Sequence, residues 1–151
     1  MNHRIIRLSP ADYRKCADIW DMDRHPAQAQ KWYDEIVSGN RVVFVYTENG
    51  AFLGECALVF DTGDPDYTIA GQRIYLSRMI VAREHRNRGI GGILLDYALD
   101  QARISGFIEV SLGVDKVNAA AHRLYAKNGF DTVIFDGADE QGEYVKMLKR
   151  L

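Results

Sequence analysis

The chain of 151 residues has little cysteine and little proline, two and three residues respectively. Cys16 and Cys56 show no CxxC spacing and can form one bridge at most. That excludes a disulfide framework and predicts two reduced, packed thiols in a cytoplasmic setting. No apolar run reaches the roughly 18 residues that a membrane span needs, and the amino terminus MNHRIIRLSP lacks the apolar core of a signal peptide. Neither membrane insertion nor export is expected. Net charge is also scarce, at −2 with 26% charged and 47% apolar residues, so no bulk attraction to nucleic acid is expected. His3, His25, His85 and His122 are scattered without ligand spacing, which argues against a metal site. With no repeat, low-complexity tract or linker, the length predicts one domain over 1–151.

What is present is a patterned α/β chain. Arg4 to Leu8 reads as a strand, and Ser9-Pro10 as the cap and first turn of a helix running through Trp20. Pro26 to Val37 predicts a second helix, stopped at Ser38-Gly39-Asn40. Val42 to Thr47 and Phe52 to Phe60 then form a hairpin across Asn49-Gly50. A turn-rich loop, Asp61 to Gln72, leads to a strand over Ile74 to Val81. A helix over Gly89 to Ser105 follows, then a strand over Phe107 to Val114, a short helix from Asn118 to Lys127, and a closing hairpin of Phe130 to Phe135 with Glu143 to Leu148. The order predicts a mixed sheet covered by helices. The terminal hairpin would serve either a homodimer or the monomer's own sheet.

The most informative stretch is Ile80 to Leu95, IVAREHRNRGIGGILL, where an apolar strand meets an arginine-rich turn, glycines and an apolar helix. A helix start leaves backbone N–H groups without partners and carries the positive end of the helix dipole, so it suits phosphate oxygens. Gly89, Gly91 and Gly92 allow close approach, and Arg86 and Arg88 add forked donors at the rim. Leu94 stands where a GxGxxG motif needs its third glycine, and no GK follows for a P-loop. Charge is also divided along the chain. Asp18 to Asp66 holds ten acidic and three basic side chains, whereas Arg73 to Arg88 holds five arginines against Glu84.

Arg86-Asn87-Arg88-Gly89-Ile90-Gly91 matches the Q/R-x-x-G-x-G/A signature of the GNAT superfamily of acyl-CoA-dependent N-acyltransferases. Asn118 to Phe130, with Tyr125, resembles that family's second motif at the usual separation. The resemblance implies a mixed, mostly antiparallel sheet of six to seven strands flanked by about four helices, with central strands splayed apart. It further implies acetyl-CoA as co-substrate, its diphosphate on Arg86 to Gly92 and its pantetheine arm paired with main chain of Met79, Ile80 and Val81. The matching tyrosine, Tyr125, is implied as general acid toward the leaving thiolate, and Asn118 as a pantetheine contact. Some relatives place a glutamate where this chain has Gly113.

An amine acceptor with a pKa of about 10.4 is almost wholly protonated at neutral pH, so a base or desolvating pocket is required. Glu55, in an otherwise apolar strand, is the first candidate base, because burial would raise its pKa. Asp64, Asp66 and Tyr67 in the turn-rich loop, with Trp20 on an opposite wall, would receive a small cationic amine. The expected function is acetyl transfer from acetyl-CoA to such a small-molecule amine. A protein N-terminal or lysine acetylase and an inactive coenzyme A sensor are the alternatives.

Overall fold

In the computed structural model, which describes residues 2–151, seven strands join in one sheet of order β1-β2-β3-β4-β5-β7-β6. The strands are β1 (His3–Arg7), β2 (Arg41–Glu48), β3 (Ala51–Val59), β4 (Arg73–Val81), β5 (Glu109–Asp115), β6 (Thr132–Asp139) and β7 (Gly142–Arg150). The α-helices are α1 (Pro26–Ser38), α2 (Ile90–Ile104) and α3 (Ala119–Lys127). The backbone divides into two compact units. One runs up to Leu58 and resumes over Arg78–Ala98; the other comprises Val59–Ser77 and Leu99–Leu151. Strand β4 and helix α2 each contribute residues to both units.

In the first unit, the β2-β3 hairpin turns where the sequence predicts. Asn49 and Gly50 have φ of 51° and 84°, the left-handed pair that a two-residue turn needs to follow strand twist. The segment after β1 departs from expectation. Pro10–Asp18 winds as a 3-10 helix rather than an α-helix through Trp20, and Ser9 makes no side-chain cap bond. Its buried residues, Tyr13 and Cys16, lie three apart, and buried Ile19 and Met22 continue that spacing beyond its end, which suits three residues per turn. Helix α2 buries Ile90, Leu94 and Leu95. Its first turn approaches β3 at Gly54, where an added Cβ would lie 3.2 Å from the Ile80 carbonyl oxygen and 3.3 Å from both Ile90 and Leu94. We expect Gly54→Val to lower stability by about 1–3 kcal/mol, because the backbone carbonyl and the helix cannot both retreat. A melting temperature unchanged from wild type would show that this approach tolerates bulk.

In the second unit, β4 and β5 pair in parallel over only three positions, ending at Tyr75 and Ser111. Three residues later β4 is distorted by Arg78, whose φ is +56°, a conformation unusual for a side chain this large. The closing hairpin is longer than predicted, with pairing that continues to Asp139 and Gly142 and a bulge between Val133 and Phe135. Its β6 strand is mostly exposed, and an edge strand without a buried face carries little alternation for sequence to reveal.

Candidate active site

The glycine corner is built by β4 running into a 3-10 turn, Arg83–His85, and then α2. Asn87 and Gly89 take φ of 64° and 81°, and the chain between them turns into the first helical bond, from Ile93 N–H to the Gly89 carbonyl at 3.2 Å. The N–H groups of the first turn therefore lack helical partners, as an anion cradle requires. The rim arginines are less free than predicted. Arg86 Nε donates to the Val81 carbonyl at 2.9 Å, while Arg88 pairs with Glu48 and contacts His85 Nδ1 at 2.9 Å. Glu48 thus offsets part of the positive charge expected at the rim, and the Val81 carbonyl, expected to pair with pantetheine, already accepts from Arg86.

Also in the first unit, Glu55 is 6% exposed. Burial pushes its carboxyl up from the ordinary glutamate range, against the opposing pull of the Cys16 thiol, the Arg78 and Arg41 cations and the Trp20 indole. Tyr13, whose hydroxyl donates to the Ala29 carbonyl at 2.8 Å, is pushed up to about 12, by burial first and by Glu55 second. A small cavity of about 10 Å³ is lined among others by Glu55, Arg41, Arg78 and Tyr13. It is about the size of one water.

Trp20 does not form an open acceptor wall. It is 7% exposed, edge-on to Trp32 with ring centroids 5.4 Å apart, and the Arg78 guanidinium lies over both rings at 4.5 and 4.9 Å. The aromatic face predicted to receive a cation already carries one from the chain itself.

In the second unit the same correction applies to the acidic loop. Lys146, on β7, reaches Asp64 at 2.9 Å and Asp66 at 3.0 Å. Its ammonium also lies 4.9 Å from the centre of the Tyr67 ring and 4.6 Å from that of Phe135. Burial disfavours the Lys146 cation, but the two aspartates outweigh it and hold its pKa above the ordinary lysine value. The hydrogen bond from Lys146 in turn holds Asp64 below the usual carboxylate range. These carboxylates are partnered within the fold, so they are not a vacant receptor for a cationic amine. Tyr67 packs against Tyr75, and its hydroxyl lies only 2.5 Å from where a Gly113 Cβ would sit. The missing glutamate thus has a steric counterpart, since Tyr67 fills the space a side chain at 113 would enter.

Tyr125 lies on α3, 8% exposed, with its ring edge-on to Phe130 at 5.7 Å. Asn118 is exposed and caps α3, accepting from Ala121 N–H at 3.1 Å, so one side of its amide is committed to the helix start. Helix α3 runs as predicted, from the Asn118 cap to Lys127.

The sequence matches the acetyltransferase (GNAT) family model over residues 3–130. The chain belongs to the GNAT acetyltransferase family. It is 34% identical over 135 residues to N-alpha-acetyltransferase 40 of Saccharomyces cerevisiae, an alignment covering 80% of this chain and 46% of that protein. It is 35% identical over 83 residues to streptothricin acetyltransferase of Streptomyces lavendulae, covering 52% and 44%. The alignments thus span less than half the length of these two relatives. Among solved structures, yncA from Salmonella typhimurium, solved with its cofactor acetyl-CoA, superposes with a TM-score of 0.71. The identity is 25%, and the match covers 100% of this chain and 95% of that one.

Arg78 and Lys146 are the residues of this GNAT chain that sequence reasoning passed over. Each is a cation inside an otherwise apolar strand, IYLSRMIV and YVKML. That anomaly is the signal that could have found them, because a charge on a core strand needs a partner or a purpose.

Proposed function

We propose that the chain, as one domain over 1–151, transfers an acetyl group from acetyl-CoA to a primary amine of a small molecule by direct attack. The glycine corner carries this reading, with left-handed backbone at Asn87 and Gly89 leading into the start of α2, whose first-turn N–H groups the helix itself does not use. These groups, with Arg86 and Arg88, suit a diphosphate, and main chain of Met79 to Val81 would hold the pantetheine arm as an added strand would. Acetyl-CoA would supply the acyl group as an activated thioester.

The chain's own part is proton management. Tyr125 would donate a proton to the departing sulfur, whose thiol pKa of about 8.5 makes the bare thiolate a poorer leaving group. Glu55 would take a proton from the acceptor's ammonium and so free the amine that attacks, helped by burial that raises its proton affinity. The experiment is release of coenzyme A thiol from acetyl-CoA across a panel of small amines and amino-terminal peptides. We expect release with small amines; acetyl-CoA binding without release on any acceptor would instead mark a sensor. Release confined to peptides would favour protein amino-terminal acetylation, the reading supported by the yeast relative.

A further inference from the structure

Arg78 stands apart from the other cations held within this fold. Arg41 has Glu35 at 3.4 Å, Arg73 has Glu109 at 3.2 Å, and Lys146 has Asp64 and Asp66. Arg78 is within 4 Å of no carboxylate among the described residues, and its Nε is buried without a hydrogen-bond partner. Yet the side chain is firmly positioned, with its guanidinium over the rings of Trp20 and Trp32 and its backbone in the left-handed conformation at φ +56°. A cation that is stacked, partly desolvated and short of acceptors is a strong recognition element for an oxyanion, because a guanidinium presents paired donors in the plane of a carboxylate. Backbone strain at such a residue fits a functional placement.

We propose that Arg78 binds the carboxylate of the acceptor, so that the acceptor class is small amino acids. This rests on the acetyl-transfer reading above. The location supports it within one unit of the fold. If the diphosphate lies on Arg86 to Gly92 and pantetheine runs back along Val81 to Met79, the thioester end points toward Arg78, the next residue of β4. A carboxylate held there carries its α-amine one carbon away. Glu55 supplies negative potential at Arg78, which favours a singly charged carboxylate over a phosphate dianion. The cavity beside Glu55, about 10 Å³, admits a water but no carboxylate. The anion therefore approaches from the solvent-reached side of Arg78, which is only partly buried.

The test uses the whole chain, whose only two tryptophans lie against Arg78, so that tryptophan emission, excited where tyrosine does not absorb, reports on this site. Glycine, L-methionine, L-phenylalanine and L-glutamate are titrated against their α-carboxamides with coenzyme A present, and the same pairs are compared by kcat/KM with acetyl-CoA. We expect at least one acid to bind about tenfold or more tighter than its amide, with inorganic phosphate failing to displace it. In R78Q the acid-to-amide ratio should fall to within about twofold of one, and R78K should retain part of it. Circular dichroism confirms folding of both variants, and should R78Q fail to fold, R78K carries the comparison.

Equal affinity for acid and amide, no response to any acid, displacement by phosphate, or a variant that weakens both partners equally overturns the inference. Acids bound with the expected preference but never acetylated would leave the carboxylate site standing and remove the transfer reading. Amines acetylated regardless of a carboxylate would do the reverse.

Discussion

Tyr125→Phe is expected to lower kcat about tenfold or more while leaving acetyl-CoA affinity within about twofold. The variant keeps the ring that packs edge-on against Phe130 and the burial that fixes it on α3, and removes only the hydroxyl. A group acting on the departing sulfur contributes in the transition state and little to ground-state binding, so the loss belongs in kcat rather than in affinity. Solvent-isotope and pH profiles should change with it, since the proton would then come from water. Unchanged turnover would remove Tyr125 from the chemistry and leave it as a packing residue of α3.

Glu55→Gln carries the second large effect. As the proposed base its loss should cost about a hundredfold in kcat/KM and abolish the acidic limb of the pH profile. The same substitution has a signature in stability. Burial raises the folded-state pKa of Glu55 above its unfolded value. Its stabilising contribution is therefore complete below the unfolded pKa, about 4.3, and is lost as pH rises through the folded value, where an ionised carboxylate must be held out of water. Glutamine does not ionise. The melting temperature of the variant relative to wild type should rise as pH climbs from the unfolded pKa to the folded one and level off above it. A difference that stays constant from pH 5 to pH 9 would show that Glu55 titrates alike in both states. Full turnover in the variant would place the base elsewhere.

Much of the scaffold was legible because its signals are local. Asn49-Gly50 marks its turn by φ alone, Asn118 marks the start of α3 through a bond three residues away, and α1 stops at Gly39 in the left-handed conformation. The segment after β1 was misread because a period of three looks much like 3.6 over nine residues, and only packing of Tyr13, Cys16 and Ile19 distinguishes them. The closing hairpin was read short because β6 is an edge strand with one weakly buried face.

The candidate site divides along the same line. Sequence by itself determined the family, and it marked Arg86 to Gly92 as the candidate donor corner, because an anion cradle is made of consecutive backbone groups at a strand-to-helix turn. Tertiary structure alone decided which of the candidate acceptor residues are already partnered within the fold. Lys146 neutralises Asp64 and Asp66 from 82 and 80 residues away, and Arg78 takes the aromatic faces of Trp20 and Trp32. Charge pairing and stacking depend on distance in space, and no local pattern in the chain records it.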